Sequence, residues 1–298
     1  MKPRLLIFGA GYSGQAIAKA FNGRAEWIGG TTRSGGKFEA LRSSGVEPFL
    51  FDGTTLSDEL AAAMQTTTHL VQSIAPGEMG DPLLGLIGND LKTHFPALRW
   101  VAYLSTVGVY GDHEGAWVDE ASDCHPVSDR SIMRLTAETA WSDAGVSAHL
   151  PVAILRLSGI YGPGRNAILN LQNGTAKRLI KPGQVFNRIH VEDIAGATRH
   201  LMAHEAAGIF NVTDDEPAPP QDVVSFAAEL LGVQPPPEQD FGTAELSPMA
   251  RSFYGENKRV SNVRLKETGY VFRFPDYRTA LRSLANTERL AGNPLPAQ

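Results

Sequence analysis

LLIFGAGYSGQAIAKAF, residues 5–21, decides the fold. Residues 5–8 are an unbroken apolar run, as a strand covered on both faces of a parallel sheet requires. Gly9, Gly11 and Gly14 follow at once as Gly-x-Gly-x-x-Gly, and Ala16, Ile17, Ala20 and Phe21 then recur at helical spacing. The glycine pattern is weak alone; between a strand and a helix it has the context of a dinucleotide phosphate loop. Gly9 permits the tight turn, Gly11 lets backbone approach a pyrophosphate, and Gly14 lets the helix pack on the strand. Tyr12, Ser13 and Gly14 open the helix, whose free N–H groups and partial positive charge face the phosphates. The competing reading is a tight turn that binds nothing.

Outward from this unit, short apolar runs alternate with helical patterns. Strands are expected over 26–29, 47–51, 69–74, 100–104 and 151–157, and helices over 57–64, 83–95 and 128–144. This alternation predicts an α/β fold, a Rossmann-type doubly wound parallel sheet with helices on both faces. After Gly162 the texture changes to proline- and glycine-rich stretches, with helices expected over 192–204, 221–231 and 277–290, one more strand over 208–212, and an irregular segment over 234–262. The expected organisation is a dinucleotide-binding domain over 1–162 and a smaller, interleaved, mixed substrate-side part over 163–298, with no internal repeat.

The 298 residues carry a formal net charge of −5, with 42% hydrophobic and 20% charged residues. That composition excludes disorder as the main state and, without a basic track, argues against nucleic-acid binding. Cys124 is the sole cysteine, which rules out an internal disulfide and fits a reducing compartment. No apolar run reaches about 18 residues, so no membrane span is expected. The chain reads as a soluble cytoplasmic protein whose first strand starts almost at its first residue.

The end of the second strand discriminates between dinucleotides. An acid there binds the ribose 2′-hydroxyl of NAD, but this chain has GGTTRS over 29–34. Arg33 attracts a 2′-phosphate, and Thr31, Thr32 and Ser34 add hydroxyl donors, so NADP is expected ahead of NAD. Asp52, ending the third strand, either accepts the adenine amino group or caps the following turn. Ser73 and Ala75, in SIAP after the fourth strand, are small enough for backbone to lie against the cofactor.

Four further motifs extend the picture: YLSTVGVYG at 103–111, LRLSGIYGPGR at 155–165, RIHVEDIA at 188–195 and FNVTDDEP at 210–217. With the glycine loop, their order and spacing resemble the extended short-chain dehydrogenase/reductases, the NAD-dependent epimerases and dehydratases, over residues 5–217. The resemblance implies a nicotinamide cofactor, with Ser158, Ile160 and Arg134 among its contacts. Two departures stand out. Extended members carry Gly-x-x-Gly-x-x-Gly, whose first glycine falls on Phe8, and their catalytic Ser/Thr plus Tyr-x-x-x-Lys is incomplete. Thr106 falls on the Ser/Thr position, but Arg130 holds the tyrosine position and Arg134 the lysine position. A guanidinium keeps its charge up to a pKa above about 12, so Arg130 cannot act as general acid-base as a tyrosine does. The resemblance is therefore to an atypical subgroup that keeps the cofactor loop and lacks the tyrosine.

Arg130, Arg134, Arg165 and Arg188 are candidates to converge on an anionic substrate such as a nucleotide sugar, or alternatively to pair with surface acids. No metal is expected: Glu192 and Asp193 suit a helix's first turn, and the His200–His204 pair lacks the glutamate of a zinc motif. Two functions stay open. One is an NAD(P)-dependent oxidoreductase or epimerase with a non-standard site, exchanging its proton through Thr106 with water, Tyr161 or His190. The other is a non-catalytic NADP(H) sensor. A homodimer is compatible with either.

Overall fold

β1 (Arg4–Phe8) runs through the centre of the molecule with Leu5, Leu6, Ile7 and Phe8 fully buried. The computed structural model describes residues 2–290. After β1 come α1 (Tyr12–Phe21), β2 (Trp27–Thr32), α2 (Phe38–Ser43), β3 (Glu47–Leu50), α3 (Asp58–Thr66) and β4 (His69–Gln72). α4 (Pro82–Ile87), α5 (Leu91–His94), β5 (Trp100–Thr106), β6 (Trp117–Val118), α6 (Asp129–Ala148) and β7 (Val152–Leu157) complete the first half. The second half contributes β8 (Gly159–Tyr161), α7 (Ala167–Gln172), β9 (Arg178–Ile180), β10 (Arg188–His190), α8 (Val191–Ala203), β11 (Gly208–Val212) and α9 (Pro220–Leu231). β12 (Glu238–Asp240), α10 (Pro248–Phe253), β13 (Arg259–Val260), α11 (Val263–Glu267) and α12 (Tyr277–Leu290) follow.

Seven strands form one parallel sheet in the order β11-β7-β5-β4-β1-β2-β3. The chain winds outward from β1 in both directions, so the loops after β1 and β4 part company at the carboxyl ends of adjacent strands. That crevice is where open α/β sheets take ligands. Two apolar layers cover the sheet, one around Ile17, Trp100 and Ile194, the other around Phe51, Leu70 and Trp141. The halves interlock: α8 packs beside α1, β11 closes one edge of the sheet, and the ribbons β8–β10 and β6–β13 join distant segments. Among the described residues, no helix is long and apolar enough to cross a membrane.

Several expected boundaries shift for local reasons. The helix expected over 83–95 is two helices, α4 and α5, because Gly88 and Asn89 take positive φ of 57° and 62° and Asp90 starts a new cap on Thr93 N–H. β2 continues past Gly29 to Thr32, where it pairs with β3. β4 stops at Gln72, whose side-chain oxygen accepts from Ile74 N–H. α6 runs four residues beyond Ala144 and ends on His149 in the left-handed region. The segment 234–262 is not wholly irregular, since it contains β12, α10 and β13.

One buried polar chain ties four elements together. Ser105 Oγ donates to Glu138 Oε1 at 2.5 Å, and Arg156 grips the same carboxylate through Nε and Nη2, the latter at 2.8 Å. The guanidinium lies 4.8 Å from the Tyr110 ring centroid, and Tyr110 OH donates to Asn211 Oδ1 at 2.8 Å. Removing one partner strands a buried charge, which costs about 3–5 kcal/mol. Glu138→Gln should therefore lower unfolding free energy by about 3 kcal/mol in urea titration, whereas Glu138→Leu with Arg156→Met should lose much less. A double variant as unstable as the single one contradicts this.

His69, the first residue of β4, supplies a pH prediction. Burial and the Arg99 guanidinium hold its imidazole down at about 4, against an ordinary 6.5. Between those values the unfolded chain takes up a proton that the folded chain refuses, so this residue's contribution to stability falls as pH falls. His69→Gln should lose about 2 kcal/mol less stability than the natural chain between pH 7 and roughly pH 4.5. Denaturation curves at both pH values test this, and equal losses contradict it.

Candidate functional site

The turn after β1 is built by close backbone packing. Gly9 takes a φ of +88°, and its N–H donates to Thr31 Oγ1 at 2.8 Å. A Cβ on Gly9 would stand 3.2 Å from Ile74 N, and one on Gly14 would stand 2.7 Å from the Gly9 carbonyl oxygen. Gly11 differs: a Cβ there would meet nothing within 4 Å, so the space above its backbone is open. Gly11 is also the N-cap of α1, and no side chain caps the helix. The opening N–H groups at Tyr12, Ser13 and Gly14 thus remain available to an outside acceptor. An open cradle against uncapped donors fits a dinucleotide pyrophosphate.

Around this cradle, Thr32 Oγ1 accepts from Ser34 N–H at 3.3 Å. Arg33 is exposed and makes no hydrogen bond or ion pair among the described residues. Ser73, half-buried, donates its N–H to Phe8 O at 2.8 Å, and Ala75 is exposed beside it. Of the two readings of Asp52, the structure displays the turn cap: Oδ1 accepts from Thr54 N–H at 2.8 Å and Thr54 Oγ1 at 2.7 Å. The Thr54 hydroxyl and N–H hold that carboxyl below its usual range.

The arginines expected to converge have different immediate partners. Arg130 is exposed in the first turn of α6 without a hydrogen bond or ion pair among the described residues. Arg134 reaches the interior strand β5, where Nη1 donates to Leu104 O at 2.6 Å and to Tyr103 OH at 3.3 Å. Thr106 Oγ1 accepts from Gly108 N–H at 3.1 Å and so caps the turn that follows β5. Ser131, overlooked in the sequence, has its hydroxyl 2.8 Å from where a Gly108 Cβ would stand, beside Thr106. Arg165 is exposed near Tyr12, where its positive charge favours the Tyr12 phenolate against the effect of burial.

Tyr12 links the two loops of the cleft, its hydroxyl donating to Pro163 O at 2.9 Å. Gly162 is the residue that permits this approach, since a Cβ there would lie 2.8 Å from Tyr12 OH and 3.2 Å from His190 Nε2. His190 is buried, and its Nδ1 accepts from Glu192 N–H at 3.3 Å, which assigns the ring proton to Nε2. That Nε2 has no partner, and burial, with Arg273, holds the imidazole neutral with a pKa of about 4. Ser158 is buried with its Oγ unpartnered, and half-buried Ile160 packs on the core. Arg188 Nη1 donates to Phe186 O at 2.9 Å and Ala218 O at 3.0 Å. Asp214 was also overlooked; the available signal was an acid two residues after the apolar end of a strand, in NVTDDEP. Among the described residues no three His, Cys, Asp or Glu side chains are grouped to hold a metal ion. Cys124 is half-buried, and burial raises its thiol pKa.

Residues 90–213 match the NAD dependent epimerase/dehydratase family. Protein YeeZ of Escherichia coli strain K12 is 27% identical over 288 residues, spanning 92% of this chain and 97% of YeeZ. A conserved protein of unknown function from Silicibacter pomeroyi DSS has a solved structure with a TM-score of 0.88 and 46% identity, covering 96% of this chain and 99% of that one. The solved structure of a NAD-dependent epimerase/dehydratase homologue from Methylobacillus flagellatus gives a TM-score of 0.74 at 25% identity, over 97% of this chain and 100% of that one. With its sheet order, glycine loop and motif series, the chain carries a domain of the NAD dependent epimerase/dehydratase family over residues 90–213.

Proposed function

We propose that this protein is an NADP(H)-preferring oxidoreductase or epimerase, acting in the cytoplasm on a small anionic molecule such as a nucleotide sugar. The observation that carries the reading is the open cradle at Gly11 beneath the uncapped start of α1, with Arg33 unpaired at the end of β2. The N–H groups of Tyr12, Ser13 and Gly14 hold the pyrophosphate, and Arg33 pairs with the 2′-phosphate. Arg165, beside Tyr12, adds positive charge at the same loop. When bound, the nicotinamide ring supplies a hydride acceptor or donor. Proton exchange falls to neutral groups rather than to guanidinium side chains. Thr106 Oγ1 and Tyr161 OH are the hydroxyls available, and burial keeps the Tyr161 phenol protonated.

A second reading, a sensor that binds NADP(H) without turnover, draws support from Arg134, whose guanidinium is committed to Leu104 O. A substrate-dependent absorbance change at 340 nm separates the two.

Calorimetry should give a lower Kd for NADPH than for NADH, and Arg33→Ala should weaken NADPH at least tenfold while leaving NADH little changed. Equal affinities, or an NADH preference, overturn the assignment. Gly11→Val should fold as well as the natural chain, because its side chain enters open space from an ordinary φ of −82°. It should nevertheless lose dinucleotide binding, with an unchanged Tm as the control. Retained affinity means that the loop is only a turn.

A further inference from the structure

Buried polar atoms without partners gather on one side of the cleft: Ser158 Oγ, Tyr161 OH, His190 Nε2 and Asp214 Oδ2. Two of the groups here carry opposite charge. Asp214 is 1% exposed and lies within electrostatic reach of Arg188, yet the two form no ion pair among the described residues. Each is anchored on one side only. Asp214 Oδ1 accepts from Glu216 N–H at 3.2 Å, and Arg188 spends Nη1 on two backbone carbonyls. Three phenols, those of Tyr161, Tyr254 and Tyr277, feel the Arg188 charge. The Tyr277 ring centroid lies 6.0 Å from the guanidinium.

Burying a carboxylate and a guanidinium without joining them is costly, as is burying a phenol hydroxyl with no acceptor. The contrast within the same molecule is direct, since Glu138 and Arg156 are equally buried and joined as an ion pair through Nε and Nη2, with Arg156 Nη1 alone left without a partner. Burial raises the pKa of the Asp214 carboxyl and lowers that of Arg188, each against its charged form, as expected of groups awaiting a partner. Tyr161 and Arg188 are each only partly buried.

We propose that Tyr161, Arg188 and Asp214 form a subsite for a hydroxylated carboxylate, such as the acid end of an aldonic or uronic acid. Arg188 takes the carboxylate, Asp214 Oδ2 accepts from a neighbouring hydroxyl, and Tyr161 OH donates to the same ligand. This assignment rests on the reading of the cleft as a substrate site and names the chemistry that the site prefers.

The test uses two variants that leave the backbone anchors intact. Asp214→Asn keeps the oxygen that accepts from Glu216 N–H, and Tyr161→Phe keeps the ring against His190. Both should keep the Tm of the natural chain, because Tyr161→Phe removes an unpartnered buried hydroxyl and Asp214→Asn removes the charge of a buried, unpaired carboxylate. In calorimetry without cofactor, D-gluconate should bind the natural chain and lose at least tenfold in affinity on both variants. Sorbitol and propionate, each with half of the chemistry, should bind more weakly than gluconate. A Tm drop of several degrees in Asp214→Asn, no gluconate binding to the natural chain, or undiminished binding to both variants overturns the proposal. NADPH titrations of the same proteins keep the two readings apart. Failure of the natural chain to bind NADPH counts against the proposed cofactor and leaves the gluconate result standing.

Discussion

The helix after the first strand rests on a carbonyl. A Cβ on Gly14 would come within 2.7 Å of Gly9 O, so α1 sits against β1 only because that position has no side chain. Gly9 must in turn adopt positive φ beside Ile74, which ties the β1 turn to the end of β4. These backbone contacts fix the crevice between neighbouring strands, and the open space at Gly11 exists because everything around it is closed. The architecture outside the turn is more forgiving, since side-chain packing tolerates volume-conserving change where backbone contact does not.

The parallel sheet was legible because its strands are short apolar runs and its first loop has glycine where sterics demand it. The break between α4 and α5 was not, because Gly88 and Asn89 sit inside a stretch, LLGLIGNDLKTHF, whose apolar spacing is that of a single helix. The glycine loop of the candidate site could be read residue by residue, since its chemistry is carried by backbone. Side-chain destinations could not. Arg130 and Arg134 are four apart, which places them on one helical face. One remains in solvent while the other reaches Leu104 O, a choice set by a strand 30 residues earlier in the chain. Asp214 and Ser131 escaped notice for the same reason: their surroundings come from segments distant in the sequence.

The two polar clusters of the interior differ in whether their charges are paired. Around Glu138 every charge is met, and the cluster bridges α6, β5 and β7. Around Asp214 charges and hydroxyls stand unmatched, at the junction of β8, β10 and the end of β11.

The bond from Tyr12 to Pro163 carries a consequence for the order of events in the cleft. Tyr12 belongs to the loop that would meet phosphate, and Pro163 to the loop that follows Tyr161. A molecule that displaces the phenol hydroxyl from that carbonyl releases both loops at once. Any coupling that this bond carries between ligands at the two ends of the cleft would be equal in both directions by linkage.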